Sequence, residues 1–193
     1  MPNQSIKIFI ASSSELQEDR NEFRNFIADE SSRLNKLGIN LDLIRWETAE
    51  NSISNTRLQD EYNKAISECD MVVFLVFSKV GKFTLEEFDT ALKAFRKNPD
   101  LKIWTYFKNA PLYPESIIES DINTLFAFKQ KIRELGHFRT KYENIYDLKF
   151  QFKNELEKVL PKVTAPVKAT VSDMPPLSPE DQTISNNTGN YIF

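Results

Sequence analysis

The run Met71-Val-Val-Phe-Leu-Val-Phe77 leaves the chain few options. It is apolar throughout and rich in β-branched and aromatic residues, with Cys69-Asp70 before it and Ser78-Lys79 after it. It is far too short to cross a bilayer, which takes about 20 apolar residues in a helix. A short apolar run without alternation reads as a strand buried on both faces, the usual condition in a parallel sheet covered by helices.

The flanking sequence supplies the helices and the other strands. Ile6–Ser12 (IKIFIAS) reads as the first strand. A helix follows, with apolar residues Leu16, Phe23, Phe26, Ile27, Leu34 and Leu37 near helical spacing. Ser14 with Gln17 has the spacing of a capping box, and Gly38 is placed as a helix stop. Ile39–Trp46 reads as the second strand and Glu47–Asn55 as a polar loop. Thr56 with Gln59 opens a second helix in the same capping pattern. The helix after the apolar strand is expected over Leu85–Arg96. Lys102–Lys108 (KIWTYFK) is a fourth strand, Pro114–Leu135 is mostly helical with Gly136 as its stop, HFRTKYE holds a short fifth strand, and Asn144–Leu160 is an amphipathic helix.

Strand and helix therefore alternate, which predicts an α/β fold: a parallel sheet with helices on both faces. In such sheets ligands bind beyond the carboxyl ends of the strands. Ser12–Ser14, Glu47–Asn55 and Ser78–Glu87 converge there. Residues 1–160 form the expected domain. Residues 161–193 are rich in Pro, Ser, Thr and Asn with no apolar period, and read as a disordered tail or linker. The closing NYIF turns apolar again, as though a further domain follows.

Composition narrows the chemistry. One histidine, His137, excludes a His-based triad or a two-histidine metal centre. Metal ligation is not expected. The single cysteine, Cys69, reads as a small buried hydrophobe rather than a nucleophile. The net charge of −3 does not favour a polyanion binder, and no basic face for nucleic acid stands out along the chain. The N-terminus lacks the pattern of a signal peptide, and neither a membrane span nor a disulfide is expected, so a cytoplasmic setting is. Neither a G-x-G-x-x-G fingerprint nor a P-loop is present.

Carboxylates remain. Glu86 and Glu87 follow the buried strand. Thr84 and Glu87 have capping-box spacing, and Glu86 and Asp89 suit the positive end of a helix dipole, so helix chemistry alone explains them. On a helical wheel, Leu85, Phe88, Leu92 and Phe95 form the buried stripe, with Glu87 beside it and Glu86 turned to solvent. Glu87 is then a partly desolvated carboxylate near the strand ends, suited to sugar hydroxyls and an oxocarbenium-like centre. Phe83 lies one turn earlier. Gly81 lets backbone approach a ligand. Lys79 and Lys82 flank it, either to meet phosphates or as an exposed loop. Trp46 either packs in the core or guards the loop. Arg20, Arg24 and Arg33 lie among acids and read as a solvated face.

Several of these stretches resemble TIR domains, in particular bacterial TIR-like proteins: IKIFIASSSEL, the polar loop after LDLIRW, and LQDEYNKAISECDMVVFLVFSKVGKFTLEEFDTALKAF. The resemblance spans Ile6 to Leu160. It implies a flavodoxin-like fold of about five strands. It also implies cleavage of NAD+ at the nicotinamide–ribose bond by an immune effector activated by self-assembly, with NAD+ as substrate and no cofactor. The family's W-x-x-x-E-x-x-x-A pattern is matched by Phe83, Glu87 and Ala91, with Phe in place of Trp. Glu87 would be catalytic, and Phe83, Ser12, Ser13, Trp46, Gly81 and Lys82 would contact substrate. The BB loop would be Glu47–Asn55, a self-association element, here without glycine. A C-terminal sensor or repeat domain would be a partner. K-F-T-L-E-E is also similar to the glutamate setting of nucleoside deoxyribosyltransferases. A non-catalytic TIR interaction module is the remaining alternative.

Overall fold

A computed structural model of the chain describes residues 4–44, 58–116, 118–137 and 139–160. Trp46, the Glu47–Asn55 loop, the Thr56 cap and residues 161–193 lie outside these. The elements in chain order are β1 (Gln4–Ser12), α1 (Gln17–Asn35), β2 (Ile39–Leu43), α2 (Leu58–Ser67), β3 (Met71–Val76), α3 (Lys82–Lys97), β4 (Lys102–Lys108), α4 (Glu119–Glu134), β5 (Thr140–Tyr142) and α5 (Ile145–Val159). Single 3-10 turns at Ser14–Leu16 and Pro114–Ser116 precede α1 and α4.

The five strands form one parallel sheet in the order β2-β1-β3-β4-β5, the flavodoxin-like order. All six residues of β3 are buried, as the unbroken apolar run requires. Their side chains divide by the strand's twofold period. Met71, Val73 and Leu75 join Ile6, Ile8 and Ile10 of β1 in a core with Phe23, Ile27 and Leu34 of α1 and Leu148, Phe152 and Leu156 of α5. Val72, Phe74 and Val76 join Phe9 and Ala11 in a second core with Ile66 of α2, Phe88 and Ala91 of α3, and Leu125, Phe128 and Ile132 of α4. The sheet is thus covered on both faces.

Gly38 and Gly136 sit at φ 77° and 67°, the left-handed conformation that ends helices α1 and α4. Asn144 caps α5, its side chain accepting from the amides of Tyr146 and Asp147. Two expected caps are not formed. Ser14 begins a 3-10 turn, and α1 starts at Gln17 with Leu16 at its N-cap and no side-chain bond. In α3 the N-cap is Gly81, so the helix begins three residues before Leu85 and Thr84 lies inside its first turn. The T-x-x-E spacing there is not a capping box. Cys69 is buried, its thiol donates to the Ala65 carbonyl at 3.2 Å, and burial, then the Asp70 charge, push its pKa up to about 12.

Candidate functional site at the carboxyl edge of the sheet

The winding of the sheet switches between the parallel strands β1 and β3. From β1 the chain passes to α1 on one face, whereas from β3 it passes to α3 on the other. The loops leaving these adjacent strands splay apart, and the crevice between them is where such sheets bind ligands.

One side chain ties the crevice walls together. Glu15, in the turn after β1, accepts from the Ser13 hydroxyl at 2.9 Å and from the Ser78 amide at 3.0 Å. It also accepts from the Ser78 hydroxyl, and from the Lys79 amide at 3.3 Å. The loop after β3 is held from its other side as well. The Val80 amide donates to the Thr124 hydroxyl at 3.1 Å, and the Lys79 ammonium lies 3.2 Å from Asp121 of α4. These bonds fix the start of α3, and with it the position of Glu87.

Glu87 is only 9% exposed. It sits on the sixth residue of α3, beyond the orphan amides of the first turn, so neither capping nor the helix end accounts for a buried carboxylate there. Helical geometry sets its direction. Thr84, Phe88 and Ala91 are buried toward the sheet, with Phe88 edge-on to Phe74 of β3. Glu86 and Thr90 face α2, where Asn63 donates to Glu86 at 2.8 Å and accepts from Thr90 at 3.1 Å. Glu87 lies between these two rows, in the angle formed by α2, α3 and the sheet. Glu86 is therefore half-buried and bonded to α2, not turned to solvent. Phe95, expected in the buried stripe, is 42% exposed, whereas Leu92 and Ala94 still pack against the core.

The other sequence-predicted residues divide into two groups. Ser12 and Ser13 lie at the end of β1, beside the crevice: Ser12 accepts from Arg20 at 3.1 Å, and the buried Ser13 donates to Glu15. Phe83 and Lys82, on the first turn of α3, are exposed. Gly81 has φ −71° and ψ 161°, and an added Cβ would meet nothing within 4 Å. Its backbone therefore places no demand for glycine. Lys79 is drawn to Asp121, away from the crevice.

Two residues at this edge, Glu15 and Asp19, escaped the sequence reading, and a third, Arg20, was misread. Glu15 gave no periodic signal, since it lies in a turn. Arg20 is 8% exposed, not part of a solvated face. Asp19, equally buried, accepts from Lys108 at 2.9 Å and from the Tyr142 phenol at 2.8 Å, joining α1 to the ends of β4 and β5. Burial, then that bond to Asp19, push the Tyr142 pKa well above its ordinary value. The buried face of α1 runs Asp19, Phe23, Ile27, Glu30, Leu34, so its own period places Asp19 inside. Arg33, by contrast, does pair at the surface, with Glu30 at 2.7 Å. Among the described residues no group of three or more His, Cys, Asp or Glu is placed to hold a metal ion. None of their helices is long and apolar enough to cross a membrane.

Comparison with solved structures finds 16 similar chains, among them these three. A Clostridium botulinum CMP N-glycosidase, BcmB, is 15% identical over 77% of this chain and 98% of its own, with a TM-score of 0.44. A chain of the RPS4 and RRS1 TIR domain heterodimer is 14% identical over 81% and 98%, with a TM-score of 0.46. An NADPH-quinone reductase from P. pentosaceus is 7% identical over 81% and 92%, with a TM-score of 0.36. No curated protein matches. The profile that does match is not the TIR family's, although a TIR domain pair is among the similar chains. It covers residues 7–157, from the first strand to the last helix, and by it the chain belongs to DUF4062, a domain of unknown function.

Proposed function

We propose that this domain cleaves the N-glycosidic bond of a nucleotide, with NAD+ as the first candidate substrate and Glu87 as the reacting-centre carboxylate. The observation that carries the reading is the burial of Glu87 on the helix that follows the central strand, at a position where helix capping has no use for it. The Phe83–Glu87–Ala91 spacing supports NAD+ in particular.

The chemistry follows from charge. The bond from C1′ to the nicotinamide nitrogen breaks heterolytically, and both electrons leave with nicotinamide, which becomes neutral. Positive charge develops on C1′ and the ring oxygen. A carboxylate with little water around it stabilises that charge more than one in bulk solvent does, because the effective dielectric constant is lower. It also accepts from ribose hydroxyls, fixing the sugar. Water then attacks C1′ and releases its proton, giving ADP-ribose. In a cyclising variant the adenine ring attacks instead. Ser12 and Ser13, beside the crevice, are the proposed contacts to ribose or phosphate, and exposed Phe83 covers the nicotinamide. The Glu47–Asn55 loop is the proposed self-association element.

The test is nicotinamide release from NAD+ by the purified chain, dilute and concentrated, with Glu87→Gln in parallel. Release lost in a variant whose circular dichroism and melting are unchanged supports the reading. Equal release by Glu87→Gln overturns the assignment. A stable sugar–enzyme adduct on intact mass analysis would shift it to a transferase with a nucleophilic glutamate.

A further inference from the structure

The far side of the sheet edge carries a feature that net charge conceals. β4, α4 and the segment leading into β5 enclose a groove of about 530 Å³. Four cationic side chains line it: Lys129 and Arg133 from α4, and Arg139 and Lys141 from the approach to β5 and β5 itself. A fifth, Lys108, is committed to Asp19. No carboxylate lines the groove. Gln130 and Asn109 at its margin hold the nearby Glu134 and Glu143, at 2.9 and 2.7 Å. Among the described residues, Lys129, Arg133, Arg139 and Lys141 form no ion pair. The Lys129 ammonium lies over the Phe107 ring, 5.6 Å from its centroid. Burial lowers the Lys129 pKa, and the nearby Arg139 and Lys141 charges lower it further.

Four converging cations in a concave surface are costly to hold together, and an anion with several charges relieves that repulsion. Phe126, 63% exposed, stands at the same groove and offers an aromatic face. A groove of about 530 Å³ suits a ligand the size of one nucleotide better than a flat protein surface. Arginine forks and lysine ammoniums are the usual partners of phosphate oxygens, and a base stacks on an exposed ring.

We propose that this groove is a binding site for a nucleoside polyphosphate: linked phosphates on Lys129, Arg133, Arg139 and Lys141, and the base on Phe126. It is built from β4, α4 and β5, whereas Glu87 and the β1–β3 crevice belong to other elements, so the inference stands apart from the proposed glycosidase activity.

The test uses the full chain in isothermal titration with ATP, inorganic triphosphate and orthophosphate at two salt concentrations. ATP and triphosphate are expected to bind more tightly than orthophosphate and to weaken as salt rises. The Arg133→Gln, Lys141→Gln double variant should bind both at least roughly tenfold more weakly, since charge-assisted bonds contribute more than neutral ones. The double variant Lys93→Gln, Lys97→Gln on α3 removes equal charge elsewhere and should leave binding unchanged. Phe126→Ala should weaken ATP but not triphosphate. All variants are first shown to melt as the parent does. No binding by either polyphosphate, or an equal loss in the α3 control, overturns the site. Binding of a single-stranded oligonucleotide that is lost in Arg133→Gln, Lys141→Gln, with no binding of ATP, overturns the nucleotide assignment in favour of nucleic acid.

Discussion

The Glu15 carboxylate lies 3.0 Å from the amide of Ser78, a residue 63 positions further along the chain. It joins the two loops that leave the sheet toward opposite faces, at the point where they would otherwise part. Removing it leaves the Ser78 and Lys79 amides without their acceptor. Glu15→Ala is expected to cost about 1 kcal/mol, because these bonds lie where water can replace the carboxylate. Urea denaturation measures the loss, and amide exchange should quicken at Ser78 and Lys79 before it does in β3. An unchanged midpoint would mean that solvent replaces the clamp at no cost.

Glu87 and Glu86 are neighbours with different surroundings, and their variants should separate. Glu87→Gln keeps shape and burial, so melting should change little while glycosidic cleavage falls by about 100-fold or more. Glu86→Gln weakens the contact with Asn63 of α2 and should leave turnover within a few-fold of the parent. Steady-state nicotinamide release reads both. Equal losses would mean that the pair acts through helix placement rather than through one carboxylate.

Gly81 caps α3 without a side chain, in extended backbone and open space. Gly81→Ser gives the cap an oxygen for the first-turn amides and reduces the freedom of the unfolded chain. A gain of about 0.5–1 kcal/mol is expected. Thermal melting tests it, and a loss would show that the loop needs the glycine after all.

Alkaline pH should unfold the domain early. The Cys69 thiol is raised from 9.0 to about 12, chiefly by burial, and the Tyr106 and Tyr142 phenols are raised above their ordinary values, again chiefly by burial. Each is an acid kept neutral by the fold. The unfolded chain releases these protons first, so their stabilising contribution is complete below the unfolded pKa values and falls as pH rises through the folded ones. Denaturation midpoints should therefore decline from about pH 9 upward. In Cys69→Ala the decline should be shallower by about one proton's worth of slope, roughly 1.4 kcal/mol per pH unit, up to about pH 12. An identical slope would remove Cys69 from the account.

Much of the architecture was legible because burial leaves a periodic trace. The unbroken Met71–Val76 run announces a central strand, and Gly38 and Gly136 mark helix ends that the backbone confirms by its sign of φ. The capping boxes at Ser14 and Thr84 misled for a local reason. Spacing alone does not show where a helix begins, and at Ser14 a 3-10 turn intervenes, while at Thr84 the helix is already under way. That error bears on function, since capping was the ordinary explanation of Glu87. Arg20 was misread by composition: its acidic neighbours suggested solvent, whereas its place on the buried side of α1 brings it to Ser12. Neither Glu15 nor the basic groove could be read in advance. Each depends on residues from separate elements meeting in space.

The placement of β1 has a consequence for synthesis. Its neighbours are β2, which follows at once, and β3, whose Met71 pairs with Ile8 and whose Leu75 pairs with Ser12. When synthesis has reached only the end of β2, one edge of β1 has no partner, and Phe9 and Ala11 have no covering layer. Parallel pairing across so long a loop forms late. The nascent chain therefore carries an open strand edge through the synthesis of α2, and that interval is when this sequence most needs protection from pairing with another copy of itself.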